Sequence, residues 1–208
     1  MSYFPVFTDL NNKKIIICGG GTHALEKARK LLPFGAEITV ISEKICDEIN
    51  KIPKVKKLNR SFCEEDLSPR PTFVIAACDR AENERIAALC RKNNVPLNAV
   101  DMQDLCDFIF PCVISRGKLC IGISTGGASP AAAVAIKNSV SDSLPDRTEE
   151  ILDWLAVKRQ NVRDEIHDSK LRNKILRIMA EKSLALNRIL TDDELTSLKN
   201  DCIINQKD

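Results

Sequence analysis

The chain has 208 residues, a formal charge of +2 and 44% apolar residues. That is enough for one dinucleotide-sized domain with a smaller appendage, at the balance of an ordinary globular protein. Basic and acidic residues are interspersed, with one Trp and one Tyr, which argues against a nucleic-acid binder, and no apolar run is long enough to span a bilayer.

The first predicted element is an apolar strand, Lys13-Lys14-Ile15-Ile16-Ile17-Cys18, that runs into Gly19-Gly20-Gly21-Thr22-His23-Ala24 and then a helix from Leu25 to Leu32. The turn fits G-x-G-x-x-A. Gly19 serves the tight turn, Gly21 lets backbone approach a pyrophosphate, and Ala24 lets the helix pack close to the sheet. Amides at that helix N-terminus would face the anion with the helix dipole behind them. Gly20, Thr22 and His23 complete the expected cofactor loop, His23 shaping it rather than carrying protons.

Glu37–Ile41 reads as a second strand. Its end, Ser42-Glu43, lies about twenty residues beyond the glycine turn, where an acidic residue commonly holds the ribose hydroxyls. Glu43 in that role favours NAD over NADP; the alternative is that Ser42 simply caps the next helix. Residues 55–60 form an expected edge strand and Phe73–Ala77 a buried one. An amphipathic helix follows over Ala81–Asn93, then a strand over Val95–Asp101. Strands alternating with helices predict a Rossmann-like, doubly wound parallel sheet. Its ligands should gather at the carboxyl ends of the strands, at Gly19–Gly21, Ser42–Glu43, Cys78–Asp79 and Asn98–Asp101. Asp101 is the expected catalytic carboxylate, partly desolvated and able to accept a proton. A helix cap or a salt-bridged aspartate would look the same in sequence.

The pattern then changes. Residues 110–115 and 118–124 predict an antiparallel hairpin turning at Arg116-Gly117. Ser124-Thr125-Gly126-Gly127-Ala128-Ser129-Pro130 opens a helix over Ala131–Leu144, with Ser129 as N-cap and Pro130 at the first helical position. This loop is either a second anion cradle, suited to a substrate carboxylate, or a structural helix start. From Asp146 the chain is helical and glycine-free. Asp146 with Glu149 is an expected capping pair, Thr191 with Glu194 a capping box, and Ile151, Leu155, Val162 and Ile166 share one face. The resulting parts are 1–110, a dinucleotide-binding domain; 111–145, a hairpin-helix segment; and 146–208, an all-helical C-terminal domain.

Nine cysteines, at 18, 46, 63, 78, 90, 106, 112, 120 and 202, include no C-x-x-C and no nearby histidine pair. Neither a metal site nor a disulfide framework is expected. The first residues, Met1 to Phe7, have neither the basic start nor the apolar core of a signal sequence, so a cytoplasmic location is expected.

In order and spacing, several stretches resemble the precorrin-2 dehydrogenase/sirohydrochlorin ferrochelatase family, the N-terminal module of siroheme synthases. They are Phe4-Pro5-Val6-Phe7, Gly19–Gly21 with Glu26-Lys27-Ala28, Ala76-Ala77-Cys78-Asp79 with Asn83, Asn98-Ala99-Val100-Asp101, Phe108-Ile109-Phe110-Pro111, and Ser124–Pro130. The resemblance implies a homodimer assembled through 111–145, NAD as cofactor, and precorrin-2 as substrate, oxidised to sirohydrochlorin. It places Asp101 on the catalytic aspartate and Asn83 with the cofactor loops. Ser124, Gly126, Gly127 and Ser129 fall on the substrate-side loop. Insertion of Fe²⁺ as a second substrate is left open by the sequence. A polyanionic substrate would also recruit Arg116 and Lys118, with Lys137, Arg147, Lys158 and Arg159 in the same segments. Two departures stand out: Cys78 occupies a position where many relatives carry Thr, and Asp146-Arg147 follows Leu144-Pro145 where some carry a histidine. The alternative from another class is a non-catalytic NAD-sensing module, which would need the glycine loop but not Asp101 or the Ser124–Pro130 loop.

Overall fold

A computed structural model describes residues 3–204; positions 1–2 and 205–208, the outer ends of the first and last expected parts, lie outside the described residues. The chain divides into two compact units, one ending at Phe110 and one beginning at Pro111.

The first unit contains β1 (Lys14–Cys18), α1 (Thr22–Leu31), β2 (Glu37–Ile41), α2 (Asp47–Asn50), β3 (Val55–Leu58), β4 (Phe73–Ala76), α3 (Arg80–Lys92) and β5 (Leu97–Ala99). The five strands are all parallel, in the order β3-β2-β1-β4-β5. The order reverses between β1 and β4, the switch point at which open α/β sheets bind ligands. The apolar run of β1 is central and covered on both faces. Ile15 and Ile17 pack with Ala24, Ala28 and Leu31 of α1. Ile16 and Cys18 pack on the opposite face with Ile86, Ala87 and Cys90 of α3. Strands buried on both faces read as continuous apolar runs, as Ile15-Ile16-Ile17 does.

β3 and β5 are shorter than the sequence predicts. β3 ends at Leu58, whose carbonyl accepts from the Ser42 and Arg60 amides and so starts a turn. Val95 still closes the end of α3, its amide donating to the Cys90 carbonyl, and Asp101 is in the left-handed region at φ 59°. β5 therefore keeps only its three central residues.

The second unit opens with the antiparallel hairpin β6 (Cys112–Arg116) and β7 (Leu119–Ile123). Helix α4 (Pro130–Ser143) follows, then α5 (Thr148–Glu165), α6 (Ser169–Leu186) and α7 (Asp192–Ile204). Val162, Ile175, Met179, Leu195 and Leu198 form the helical core, with Leu155 and Ile166 packed against it; Ile151 is fully buried. The Thr191–Glu194 capping box forms in both directions, at 2.8 and 3.3 Å. The Asp146–Glu149 pair does not. α5 starts two residues after Asp146, and its first turn is closed instead by the Thr148 amide and hydroxyl donating to the Pro145 carbonyl. Among the described residues no helix is long and apolar enough to cross a membrane.

Candidate functional site

The three glycines after β1 have different jobs. A Cβ on Gly19, at φ 114°, would lie 2.4 Å from the Ala77 carbonyl oxygen, and one on Gly20 would lie 2.0 Å from the Lys44 carbonyl oxygen. Both positions are closed by neighbouring backbone. A Cβ on Gly21 would meet nothing within 4 Å, so this position faces open space. Gly21 is the N-cap of α1 and no side chain caps that helix. The first-turn amides of Thr22 and His23 thus stand at an exposed, uncapped helix end with the positive end of its dipole. Ala24 and Ala28 are fully buried, which brings α1 down onto the sheet. The arrangement suits an anion with backbone donors, and the residues present fit a dinucleotide pyrophosphate.

Flanking turns are bolted to this loop. On one side the Gly19 amide donates to Ile41 and the Cys46 amide donates to Gly20, both at 2.9 Å. Ser42 closes its own turn by donating to the Lys44 carbonyl at 2.9 Å. It does not cap the next helix, whose N-cap is Cys46. Glu43 is exposed, and one of its oxygens accepts from the Ser61 hydroxyl at 2.7 Å; the other carboxylate oxygen is the group available to a ribose.

On the other side the Ala77 amide donates to Cys18 at 2.8 Å. Asp79 N-caps α3 by accepting from the Glu82 amide at 3.0 Å. Asn83 is buried and brackets Cys78, accepting from its amide at 3.0 Å and donating to its carbonyl at 3.2 Å. Asn83 and Asp79 therefore shape the loop through its backbone. Burial, with help from Glu82 and Asp79, pushes the Cys78 thiol up to about 11, so it is a neutral thiol at physiological pH, packed against the core beneath the loop.

Asp101 stands on the turn after β5, exposed rather than partly desolvated. Among the described residues it makes neither a helix cap nor an ion pair, the two alternatives left open by the sequence. The turn that carries it is held from below. Val100 donates to Ala76 at 2.8 Å. The Cys106 thiol accepts from the Ala99 amide and lies within 3.3 Å of the Ala99 and Met102 carbonyls. Buried Asn98 donates to the Phe108 carbonyl at 2.9 Å. Asp107 pairs with Leu97 in both directions at 2.8 Å. These contacts fix a left-handed aspartate at the carboxyl edge of the sheet.

In the second unit, the Thr125 hydroxyl accepts from the Ser129 amide and donates to its carbonyl, at 3.2 and 3.0 Å. Ser124 accepts from the Gly126 amide, and Ser129 caps α4 by accepting from Ala132, both at 3.1 Å. Gly126 and Gly127 have φ of 64° and 90°, and a Cβ on Gly126 would meet nothing within 4 Å. The loop is thus an ordered helix start with an open glycine face. Four of the six expected cations are engaged within their own unit: Arg116 donates to the Ser141 carbonyl and hydroxyl, Lys118 pairs with Asp153, Arg147 with Glu150 and Lys158 with Asp192; among the described residues Lys137 and Arg159 make no ion pair.

Sequence reasoning gave two residues no role in the site. Cys106 gave no signal, because a small, partly buried residue looks alike whatever its contacts. Lys27 did: it shares the stripe of Ala24, Ala28 and Leu31, a cation on a buried helix face.

A family described as putative NAD(P)-binding matches residues 6–112. The chain is 34% identical over 175 residues to the siroheme synthase of Methylococcus capsulatus, covering 83% of this chain and 37% of that protein. It is 32% identical over 188 residues to the siroheme synthase of Nitrosomonas eutropha, covering 88% and 39%. The chain thus spans well under half the length of these relatives. Among solved structures, SirC, a precorrin-2 dehydrogenase, superposes with a TM-score of 0.70 over 96% of this chain and 98% of its own, at 21% identity. The two proteins share a fold.

Proposed function

The chain belongs to the putative NAD(P)-binding family, and from that premise we propose that it is an NAD-dependent precorrin-2 dehydrogenase of siroheme biosynthesis. The observation that carries this reading is the pairing, on one parallel sheet, of an open glycine cradle after β1 with an exposed, unpaired Asp101 after β5. A module that only sensed the dinucleotide would have no use for the second. The siroheme synthase relatives and the SirC fold support the choice of substrate.

The Gly21 face and the Thr22 and His23 amides would hold the pyrophosphate, and Glu43 the ribose hydroxyls. Bound NAD⁺ supplies the hydride acceptor. Oxidation of precorrin-2 removes two hydrogens, one as hydride and one as a proton. Asp101 takes the proton, and its exposure lets it return that proton directly to water. The loop Ser124–Ser129 receives substrate carboxylates on its open glycine face. We further assign a homodimer in the cytoplasm, formed through residues 111–145, where Val134 and Ile136 of α4 are each 47% exposed and Val113 of β6 is 38% exposed.

The test is anaerobic incubation of the full chain with enzymatically generated precorrin-2, with and without NAD⁺, followed by absorbance. Sirohydrochlorin and NADH should form together. Asp101→Asn should lower turnover by about 10²- to 10⁴-fold and leave the Kd for NAD⁺ within about twofold. NAD⁺ binding without sirohydrochlorin formation in the wild type would refute the enzyme reading. Adding Fe²⁺ to the same cuvette, against a protein-free control, tests whether iron insertion belongs to this chain as well.

A further inference from the structure

Lys27 is placed where a lysine needs a reason. It lies half-buried on α1 among buried Ala24, Ala28 and Leu31. Its Nζ stands 4.7 Å from the centroid of the Phe110 ring. That ring is one of a cluster with Phe108 and Phe73, at centroid separations of 5.6 and 6.3 Å. Among the described residues Lys27 makes no ion pair and no hydrogen bond. The neighbouring Glu26 carboxylate is already held by Lys30 at 2.6 Å.

An ammonium has three N–H donors. Removing it partly from water without an acceptor is unfavourable, and a ring face compensates only in part. Burial lowers the Lys27 pKa most, and Lys30 adds to that; Glu26 on the same helix, and Asp101 and Cys106 on the segment after β5, oppose it. The charge of Asp101 therefore reaches Lys27, yet the two side chains do not pair. Both are left open on the same unit. A cation poised in this way, with its donors unused, is preorganised for an anion that arrives with a ligand. Structural lysines are instead found in water or against a carboxylate.

We propose that Lys27 is an anchoring cation that receives a carboxylate of the substrate beside Asp101. This inference rests on the tetrapyrrole reading above, whose substrate bears many carboxylates.

The test uses the full chain with two variants. Lys27→Met keeps the length and apolar contact with Phe110 and removes the charge; Lys27→Arg keeps the charge. Sirohydrochlorin is titrated anaerobically against each and followed by absorbance, with NAD⁺ titrated separately. Lys27→Met should raise the Kd for sirohydrochlorin, and the KM for precorrin-2, by about tenfold to a hundredfold, the size of one lost charge-assisted hydrogen bond. Its kcat and its Kd for NAD⁺ should stay within about twofold, Lys27→Arg should recover most of the affinity, and Lys27→Met should melt no lower than wild type, since it removes an uncompensated charge.

Unchanged sirohydrochlorin affinity in Lys27→Met would overturn the proposal, as would a parallel loss of NAD⁺ binding. Wild type that binds no sirohydrochlorin would overturn it from beneath, by refuting the substrate reading. The two failures are told apart by the wild-type titration alone.

Discussion

Substituting alanine at Gly20 and at Gly21 separates the structural glycine from the ligand-facing one. At Gly20 the new Cβ would lie 2.0 Å from the Lys44 carbonyl oxygen and 2.7 Å from the Ile45 Cα, all backbone that cannot rotate aside. The turn after β2 must move, and the Cys46-to-Gly20 hydrogen bond at 2.9 Å goes with it. Overpacking costs about 1–3 kcal/mol and the lost bond about 1 kcal/mol, together about 2–4 kcal/mol. For a unit of this size that is a fall in Tm of roughly 10 °C or more.

At Gly21 the new methyl meets nothing. Alanine is a poorer N-cap than glycine by about 0.5–1 kcal/mol, and the stiffer unfolded chain returns about 0.4–1 kcal/mol. Gly21→Ala should melt within about 3 °C of wild type. Its methyl would fill the space through which the pyrophosphate approaches the α1 amides, so the Kd for NAD⁺ should rise by about tenfold to a hundredfold. Calorimetric melting without ligand reads the first effect and isothermal titration with NAD⁺ the second. Wild-type NAD⁺ affinity in Gly21→Ala would refute the cradle, and wild-type melting in Gly20→Ala would refute the packing of the Lys44 turn against the loop.

Asp79→Ala removes the acceptor for the Glu82 amide at the start of α3. It should cost about 1 kcal/mol by denaturant midpoint, with a smaller effect on NAD⁺ affinity than Gly21→Ala. Acid sensitivity should centre in part on Asp66. Burial pushes its carboxyl up, but hydrogen bonds from Arg60 and from the Cys63 amide outweigh that and hold it at about 2. A carboxyl lowered from an ordinary value of about 4 stabilises the fold above that pH, and the contribution is lost as pH falls through about 2. Asp66→Asn should therefore melt below wild type at pH 7, with the gap closing between pH 4 and pH 2; a gap independent of pH would show that the pair is not its source.

The parallel sheet was legible because its signals are local. A three-isoleucine run buried on both faces, a glycine turn and an alanine-rich helix start leave few other folds for Ile15–Ala28. The α4 cap at Ser129 and the Thr191–Glu194 box were equally local, each a side chain a few residues from its amide. What stayed hidden depended on contacts distant in sequence. The turn after β2 closes on Gly20 through the Lys44 carbonyl, and Arg60 with Asp66 ties down the segment between β3 and β4. Nothing in the spacing of those residues announces either contact. The Asp146–Glu149 expectation failed for the same reason in reverse: the Pro145 carbonyl, a backbone group invisible to composition, took the role of the side-chain cap.

The site residues of the first unit fall into two sets by what their polar atoms do. Asn83, Asp79, Asn98 and Cys106 spend their hydrogen bonds on nearby backbone. Replacing them would move loops before it touched chemistry. The Asp101 and Lys27 side chains spend nothing in this way, and Gly21 commits only its carbonyl, to the Leu25 amide: one is an exposed aspartate on a strained turn, one an ammonium against a ring, and one faces open space. Left-handed φ at a non-glycine residue and a half-desolvated unpaired lysine both work against stability. A fold keeps such features where the supporting set is rigid enough to carry them. The division predicts opposite signatures for the two sets. Variants of the first should lose stability and ligand affinity together, whereas variants of the second should lose binding or turnover at unchanged or higher Tm.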